Sequence, residues 1–391
     1  MATSATARQI NQCRVLRALF EQEAMTRAQL ARQLAMTKSG LSNVIEDLIG
    51  AGLVLESPEP ISRPVRVGRP GTSLELDAGG ASFLGAEIRP GRVSITLLDL
   101  KCRVVGTPGE AHVLDTTDPA RVVDFLAGIV DRLTNAGRWT DLSGVCLVIP
   151  GFVSRLGMAH VASLGWRDVQ ARDMLRARFG RNTTIENDAN AAAFAEWYMS
   201  PPKDRHDLLM LALSTGAGAG HVSQGRIVRG YNGMAGEIGH IILAEQPSGA
   251  FDTTPLMWEH AIGSTALVEA YTRRKGAPAS LADFVAAIAG GEPEALDLAG
   301  HWARWTARGL LAMIYAHDPE RIVVSGELAP LFRLMNDAVE AHIRTRLAPG
   351  FPLPTIATTT LGRHIASLGG AALLHAGLIR ETRRQFVSEM D

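Results

Sequence analysis

Two short segments of this chain carry side chains suited to binding hydroxyl groups. Glu186-Asn187-Asp188-Ala189-Asn190 follows a predicted strand, and Ala235-Gly236-Glu237-Ile238-Gly239-His240 follows a glycine-rich stretch. A carboxylate accepts hydrogen bonds from two neighbouring hydroxyls, an amide side chain both donates and accepts, and an imidazole changes its donor pattern with protonation. This mixture matches a polyol such as a sugar. The candidate contacts are Asn187, Asp188, Glu237 and His240.

Each segment taken alone also has an ordinary structural explanation. An Asn-Asp pair is typical of a helix N-cap, and a Glu-His pair is typical of a salt link on the surface. As isolated features they favour structural roles, so the sugar hypothesis depends on what surrounds them.

The surrounding pattern from Phe83 onward alternates between strands and helices. Residues 93–98 alternate as a strand, residues 120–133 have helical periodicity, and residues 145–149 form a continuous apolar run. A further strand, 183–185, leads directly into the first segment, with an alanine-rich helix predicted to begin near Asn190. Ligands of open α/β sheets bind beyond the carboxyl ends of strands, which is where this segment falls.

The N-terminal residues have a different pattern, that of a helix-turn-helix. Apolar residues at helical spacing predict a helix over 7–20, Thr26 to Gln29 fits a capping box for a second helix, and Thr37 is the predicted N-cap of a third. Such a third helix enters the DNA major groove. Its exposed N-terminal end carries Lys38, Ser39, Ser42 and Asn43. The alternative is a three-helix domain for protein interaction.

A predicted pair of strands, 53–56 and 73–77, follows this helix and encloses an arginine-rich loop. Arg63, Arg66 and Arg69 recur every third residue between prolines, which places their guanidinium groups on one side of an extended segment. We interpret the loop as a wing that contacts phosphates or a minor groove. The alternative is a solvated linker.

Composition agrees with a multidomain globular protein. The chain has 391 residues, 46% hydrophobic and 20% charged, with a formal net charge of −1. Residues 1–72 hold nine Lys and Arg against six Asp and Glu, so the basic surplus lies in the predicted DNA-binding part. The chain has three dispersed cysteines, no signal-peptide pattern and no run of roughly 20 apolar residues. We therefore expect a cytoplasmic protein without a membrane partner.

Four motifs in sequence order resemble the ROK family of sugar kinases and sugar-responsive repressors. They are Leu164-Gly165-Trp166, residues 186–193, the glycine-rich residues 214–220, and Gly233-Met234-Ala235-Gly236-Glu237-Ile238-Gly239-His240. The resemblance covers about residues 80 to 380 and, with the preceding winged helix, points to the repressors of the N-acetylglucosamine and xylose type.

This resemblance implies an α/β protein with an N-terminal winged helix-turn-helix, followed by an actin-like, hexokinase-like ROK domain of two lobes. The predicted parts are residues 1–78, a small lobe of 79–190 completed by the C-terminal helix 371–391, and a large lobe of 191–370. The resemblance also makes Asn187, Asp188, Glu237, His240 and, in Trp258-Glu259-His260, Glu259 sugar contacts.

The chain departs from the kinases of the family where they bind the phosphates of ATP. Their Gly-Gly-Thr turn is replaced by Glu87-Ile88-Arg89-Pro90-Gly91-Arg92, in which Pro90 lacks an N–H and no glycine pair lets a phosphate approach. Phosphoryl transfer depends on that positioning. We therefore expect no enzymatic activity and no ATP cofactor, with Asp188 a hydrogen-bond acceptor rather than a catalytic base.

A second departure concerns zinc, which many members of the family bind through one His and three Cys after the Gly-His segment. Residues 247–260 contain no cysteine, and Asp252 and His260 alone are weak candidate ligands. We predict no structural zinc, which leaves the placement of Glu259 without its usual support.

The sequence thus predicts a transcriptional regulator, a repressor, with operator DNA and a sugar or sugar derivative as partners. It would act as a homodimer or homotetramer, and the sugar would bind between the lobes and change operator affinity. One alternative is an ATP-dependent sugar kinase carrying a DNA-binding module. Another is a protein-interaction regulator whose sugar pocket has lost its role.

Overall fold

A computed structural model describes residues 4–57, 72–137, 142–180, 182–247 and 253–379 of the chain. It divides into two compact units, one formed by residues 1–186 with 370–391 and the other by residues 187–369. None of the described helices combines the length and the apolar character that crossing a membrane requires.

The first unit begins with the predicted winged helix-turn-helix. Its elements are α1 (Ser4–Gln22), β1 (Ala24–Thr26), α2 (Arg27–Gln33), α3 (Lys38–Gly50), β2 (Val54–Ser57) and β3 (Ser73–Leu76). The three strands form an antiparallel sheet in the order β1-β3-β2. Between β2 and β3 the predicted wing, with Arg63, Arg66 and Arg69, lies outside the described residues.

Local capping explains where the two helices of this motif begin. The Thr26 hydroxyl accepts a hydrogen bond from the Gln29 backbone, and the Gln29 side chain accepts one from the Thr26 backbone, so the predicted capping box is confirmed. Thr37 caps α3 by accepting from the backbone N–H of Gly40 at 3.2 Å. The inner face of α3 is buried as its periodicity predicts, through Leu41, Val44, Ile45 and Leu48.

The remainder of the first unit is built on a five-stranded sheet. Its elements are β4 (Ser82–Arg89), β5 (Arg92–Asp99), β6 (Glu110–Val113), α4 (Pro119–Asn135), β7 (Leu142–Ile149), β8 (Phe152–Val153), β9 (Ala159–Val161), β10 (Trp166–Val169), α5 (Ala171–Phe179) and β11 (Thr183–Asn187). The large sheet has the order β11-β7-β4-β5-β6, and β10-β9-β8 form a small second sheet. Apolar side chains of α4 and of the large sheet share one core.

The second unit holds most of the remaining elements. They are α6 (Asp188–Met199), β12 (Leu208–Leu213), β13 (Ala217–Ser223), β14 (Arg226–Ile227), β15 (Ile242–Pro247), β16 (Thr253–Met257), α7 (Trp258–Ile262), α8 (Ser264–Lys275), α9 (Leu281–Ala289), α10 (Pro293–His317), β17 (Arg321–Ser325), α11 (Ala329–Arg344), β18 (Thr355–Thr358) and α12 (Ile365–Ile379). The sheet order is β14-β13-β12-β17-β18, with β15 and β16 as a separate hairpin. Helix α12 continues from this unit into the first one.

The two five-stranded sheets follow one plan. In each, the first three strands form an antiparallel meander, and the fourth strand pairs in parallel with the first. When the strands of each five-stranded sheet are numbered along the chain from 1 to 5, both sheets have the order 3-2-1-4-5. This duplication agrees with the actin-like, hexokinase-like fold that the sequence predicts.

One boundary differs from its prediction. Helix α6 begins at Asp188 rather than near Asn190, because the Asn187 side chain accepts a hydrogen bond from the Asn190 backbone N–H at 3.0 Å. Asn187 is therefore the N-cap, and strand and helix follow one another without a loop.

Candidate functional site

The Asn187-Asp188 pair stands where strand β11 becomes helix α6. Asn187 caps the helix through its side-chain oxygen, and one carboxylate oxygen of Asp188 accepts from the Ala189 backbone N–H at 2.9 Å. Both side chains are half-buried. Asp188 is the first residue of α6, directly after strand β11, and negative charge is favoured at a helix N-terminus.

The second segment lies in the same unit and is joined to strand β13, on which α6 also packs. The Ala219 backbone N–H donates to the Gly236 carbonyl oxygen at 2.8 Å, which fixes the chain just before Glu237. Residues Ile238–His240 form a single 3-10 turn. Strand β13 thus supports both sequence-predicted segments.

Three of the predicted contacts come together around one imidazole. The His240 ring nitrogens lie 3.9 Å from a carboxylate oxygen of Glu237 on one side and 3.9 Å from a carboxylate oxygen of Glu259 on the other. These separations exceed the length of a direct hydrogen bond. The His240 side chain is 60% exposed, while those of Glu237 and Glu259 are 31% and 25% exposed. The arrangement places two carboxylates and one imidazole together at a partly exposed position.

The Glu259 carboxylate occupies a slot between two glycines. A β-carbon at Gly216 would lie 2.8 Å from its Oε2 atom, and one at Gly239 would lie 2.9 Å from the same atom. Side chains at either position would displace the carboxylate. A β-carbon at Gly239 would also overlap the Ala217 carbonyl oxygen, so backbone packing requires this glycine as well. The two glycines connect two of the motifs that the sequence singled out.

The protonation of Glu237 is perturbed by this environment. Burial raises the pKa of the Glu237 carboxyl, the neighbouring His240 opposes the rise, and the negative charge of Glu259 adds to it. The Glu237 carboxyl therefore loses its proton at a higher pH than an ordinary glutamate.

The residues present do not fit a zinc site built on thiolates. No cysteine occurs in residues 247–260, and among the residues that the structure describes no group of three His, Cys, Asp or Glu side chains is arranged to hold a metal ion. His240 has carboxylates as its neighbours. Asp252 lies outside the described residues.

Strands β4 and β5 of the first unit meet in a tight hairpin at the predicted phosphate position. Arg89 pairs with Arg92 in the register, so Pro90-Gly91 is a two-residue turn, with Gly91 at a φ of 76°. The Arg89 guanidinium donates to the Glu87 carboxylate at 2.6 Å, and Glu87 is buried.

On helix α3, the residues that the sequence predicts to contact DNA lie at the surface. Lys38, Ser39 and Asn43 are exposed, and Ser42 is half-buried. Asp47, one turn further, instead binds α1 through the Arg8 guanidinium, which holds the pKa of the Asp47 carboxyl below its usual range. Asp47 therefore stabilises the packing of α1 against α3.

Sequence reasoning missed the residues that support Glu259. Trp258 is fully buried, and a β-carbon at Gly309 of α10 would overlap its ring. The available signal was glycine inside an apolar helical stretch, because such a glycine often marks a close packing contact, but α10 has two, Gly300 and Gly309, and the sequence does not tell them apart.

Comparison with known proteins gives two kinds of match. The xylose repressor of Bacillus spizizenii is 20% identical over 96% of this chain and 97% of its own length. The glucokinase of Streptomyces coelicolor is 25% identical over 74% of this chain and 96% of its own length. The repressor thus matches nearly the whole chain, whereas the kinase leaves about a quarter of it unmatched.

A solved structure shows the same fold. The crystal structure of a ROK family transcriptional regulator, a homologue of the E. coli Mlc protein, has a TM-score of 0.81 and 23% identity, covering 98% of this chain and 99% of its own. The model of the ROK family matches residues 95–377. With the duplicated sheets and the glycine-flanked Glu-His site in place, the chain belongs to the ROK family.

Proposed function

We propose that this protein is a transcriptional repressor whose affinity for operator DNA is controlled by a sugar or sugar derivative. The observation that carries the proposal is the match to a xylose repressor over 96% of the chain, including the N-terminal winged helix-turn-helix that precedes the ROK match at residues 95–377. The kinase relative covers only 74% of the chain. A DNA-reading part and a sugar-binding part on one chain define a sugar-responsive regulator.

The DNA-binding role is assigned to helix α3 and to the wing. Lys38 supplies a positive charge for phosphates, Ser39 and Ser42 supply hydroxyls, and Asn43 has the amide geometry that reads adenine. Arg63, Arg66 and Arg69 of the wing would add phosphate or minor-groove contacts. A dimer or tetramer would place two such helices on the half-sites of a palindromic operator.

The sugar-binding role is assigned to Asn187, Asp188, Glu237, His240 and Glu259. The three-residue cluster around His240 carries two acceptors and one switchable donor within 3.9 Å separations, a pattern suited to adjacent hydroxyls. A sugar controls DNA binding only if it prefers one arrangement of the protein over another, so its differential affinity sets the size of the response.

We propose further that the protein is not a kinase and uses neither ATP nor zinc. At the phosphate position the chain has a two-residue Pro90-Gly91 turn, and Arg89 neutralises Glu87 where a metal-bound phosphate would need an open carboxylate. The competing function, an ATP-dependent sugar kinase, is favoured by the glucokinase relative and by the retained Asp188.

One set of measurements tests both functions. The purified full chain is first used to select its site from genomic fragments, and binding of that site is then titrated with glucose, xylose, N-acetylglucosamine and their 6-phosphates. We expect at least one sugar to change DNA affinity by fivefold or more, in the range of about 1–3 kcal/mol typical of allosteric coupling. Failure to select any site, or no response to the panel, contradicts the repressor. Sugar-dependent ATP turnover would instead support the kinase.

A further inference from the structure

Glu259 lies on a helix that is too short to be stable without contacts to the rest of the fold. Helix α7 has five residues, Trp258–Ile262, and isolated helices of this length are not stable in water. The adjoining residues 247–260 contain no cysteine and therefore cannot supply the thiolates of the family's zinc site. Contacts with other elements must therefore fix the position of the Glu259 carboxylate.

One such contact is the side chain of Trp258, which immediately precedes Glu259. Its indole N–H donates to the Trp305 carbonyl oxygen at 3.0 Å, and its own backbone N–H donates to the Ile241 carbonyl oxygen at 2.9 Å. The ring is fully buried and lies against the backbone of α10 at Gly309, where any β-carbon would overlap it. Gly309 is thus the socket for the Trp258 ring.

The other end of α7 is held by a second indole that points in the opposite direction. Trp302 of α10 is buried and donates its N–H to the Ile262 carbonyl oxygen at 2.9 Å. Buried tryptophans need a partner for this donor. Each of the two helices therefore supplies one indole and one carbonyl to the other, and both ends of α7 are fixed on α10.

From this geometry we propose that Trp258, Trp302 and Gly309 form a clamp that positions Glu259 for a sugar hydroxyl without a metal. In ROK proteins with the His and three-cysteine set, a zinc orients this loop, whereas here packing and two hydrogen bonds take that place. The proposal rests on the proposed function of the site. Trp258 and Gly309 are positioning residues, because they act on the ligand through the Glu259 carboxylate in its slot between Gly216 and Gly239.

The test compares two variants of the clamp with a matched control. Gly309→Ala forces a methyl group into the Trp258 ring, and Trp258→Phe removes the hydrogen bond to Trp305 while keeping an aromatic ring. Gly300→Ala is the control, since it lies on the same helix and its nearest neighbour to a β-carbon is the Arg304 side chain at 3.9 Å. Affinity is measured by calorimetry for whichever of glucose, xylose and N-acetylglucosamine the parent binds.

We expect Gly309→Ala to weaken sugar binding roughly tenfold, since small displacements of a positioned group have effects of this order or larger. Trp258→Phe should weaken it less, and Gly300→Ala should leave it unchanged. Affinity for DNA without sugar should be the same in all four proteins. In a Glu259→Gln background Gly309→Ala should have no further effect on sugar affinity, which a general loss of stability would not reproduce.

Two measurements decide the proposal independently of the sugar. Hydrogen exchange should accelerate in residues 256–264 of Gly309→Ala but not of Gly300→Ala. Metal analysis by mass spectrometry should find no stoichiometric zinc in the parent, and EDTA should not change the hydrogen exchange of the parent in this segment. Unchanged exchange in Gly309→Ala, or a bound zinc whose removal loosens this segment, would overturn the clamp. A parent that binds no sugar in the panel contradicts the proposed function instead, while exchange still tests the clamp.

Discussion

The imidazole of His375 on α12 donates its Nε2 hydrogen to the carbonyl oxygen of Leu100 at 2.9 Å, in the interior of the first unit. The ring lies edge-on to Phe20 of α1 at 5.0 Å between centroids and to Phe83 of β4 at 5.3 Å. Burial among these apolar surroundings favours the neutral imidazole. Burial lowers the pKa of His375 to about 4, although the hydrogen bond to Leu100 opposes the shift.

This burial predicts acid sensitivity with a defined sign. The unfolded chain binds a proton at His375 near pH 6.5, whereas the folded protein resists it down to about pH 4. The stability linked to this group is therefore complete above pH 6.5 and is lost as the pH falls towards 4, up to about 3 kcal/mol. The free energy of unfolding of His375→Gln should be measured with denaturant between pH 4 and 8. Its dependence on pH should correspond to about one proton fewer taken up on unfolding than in the parent. The exposed His301→Gln should retain the parental slope, and an unchanged slope in His375→Gln would contradict the assignment.

A second prediction separates two roles on helix α3. Lys38→Ala should weaken binding to all DNA sequences alike and lower the slope of log affinity against log salt by about 0.9, because one phosphate contact is lost. Asn43→Ala should leave the salt slope unchanged and cost about 1–3 kcal/mol on the selected site only. Fluorescence anisotropy at several salt concentrations distinguishes them, with Asn135→Ala on the exposed end of α4 as control. Equal losses on selected and random DNA for Asn43→Ala would exclude base reading.

The extent to which the sequence predicts this protein depends on how local each interaction is. The caps of α2 and α3 at Thr26 and Thr37 are predicted correctly because both partners lie within three residues. Asn187 is predicted to lie at a strand end for the same local reason. Its hydrogen bond to Asn190 also decides where α6 starts, and the alanine-rich pattern alone places that start too late.

The support of Glu259 lies beyond such local patterns. Trp258 and Gly309 are far apart along the chain and meet only because α7 and α10 pack together in the second unit. No local sequence pattern around either residue predicts this contact. The slot formed by Gly216 and Gly239 is intermediate: the motifs predict glycines near the site, but only the fold shows that both contact one carboxylate.

A third prediction concerns Asp188, which we assign as an acceptor for sugar hydroxyls. Asp188→Ala should abolish the effect of the sugar on operator affinity while leaving DNA binding without sugar intact. The exposed Asp337→Ala, in the same unit, serves as the matched control. The measurement is the operator titration in the presence of saturating sugar. A parental sugar response in Asp188→Ala would remove this residue from the binding site and leave it only its hydrogen bond to the Ala189 backbone in the first turn of α6.

The last prediction follows from the raised pKa of Glu237. Burial and the nearby Glu259 carboxylate favour its protonated form, so Glu237 loses its proton at a higher pH than an ordinary glutamate. The ionised carboxylate accepts two hydroxyl hydrogen bonds, whereas the protonated acid accepts fewer and donates one. Sugar affinity should therefore be greatest at neutral pH and fall as the pH drops through the raised pKa.

Calorimetry from pH 8 to 5 on the parent and on Glu237→Gln tests this prediction, because the amide cannot ionise. Glu237→Gln should bind more weakly at pH 8 and show a flatter profile. Parallel profiles for the two proteins would assign the pH dependence to another group.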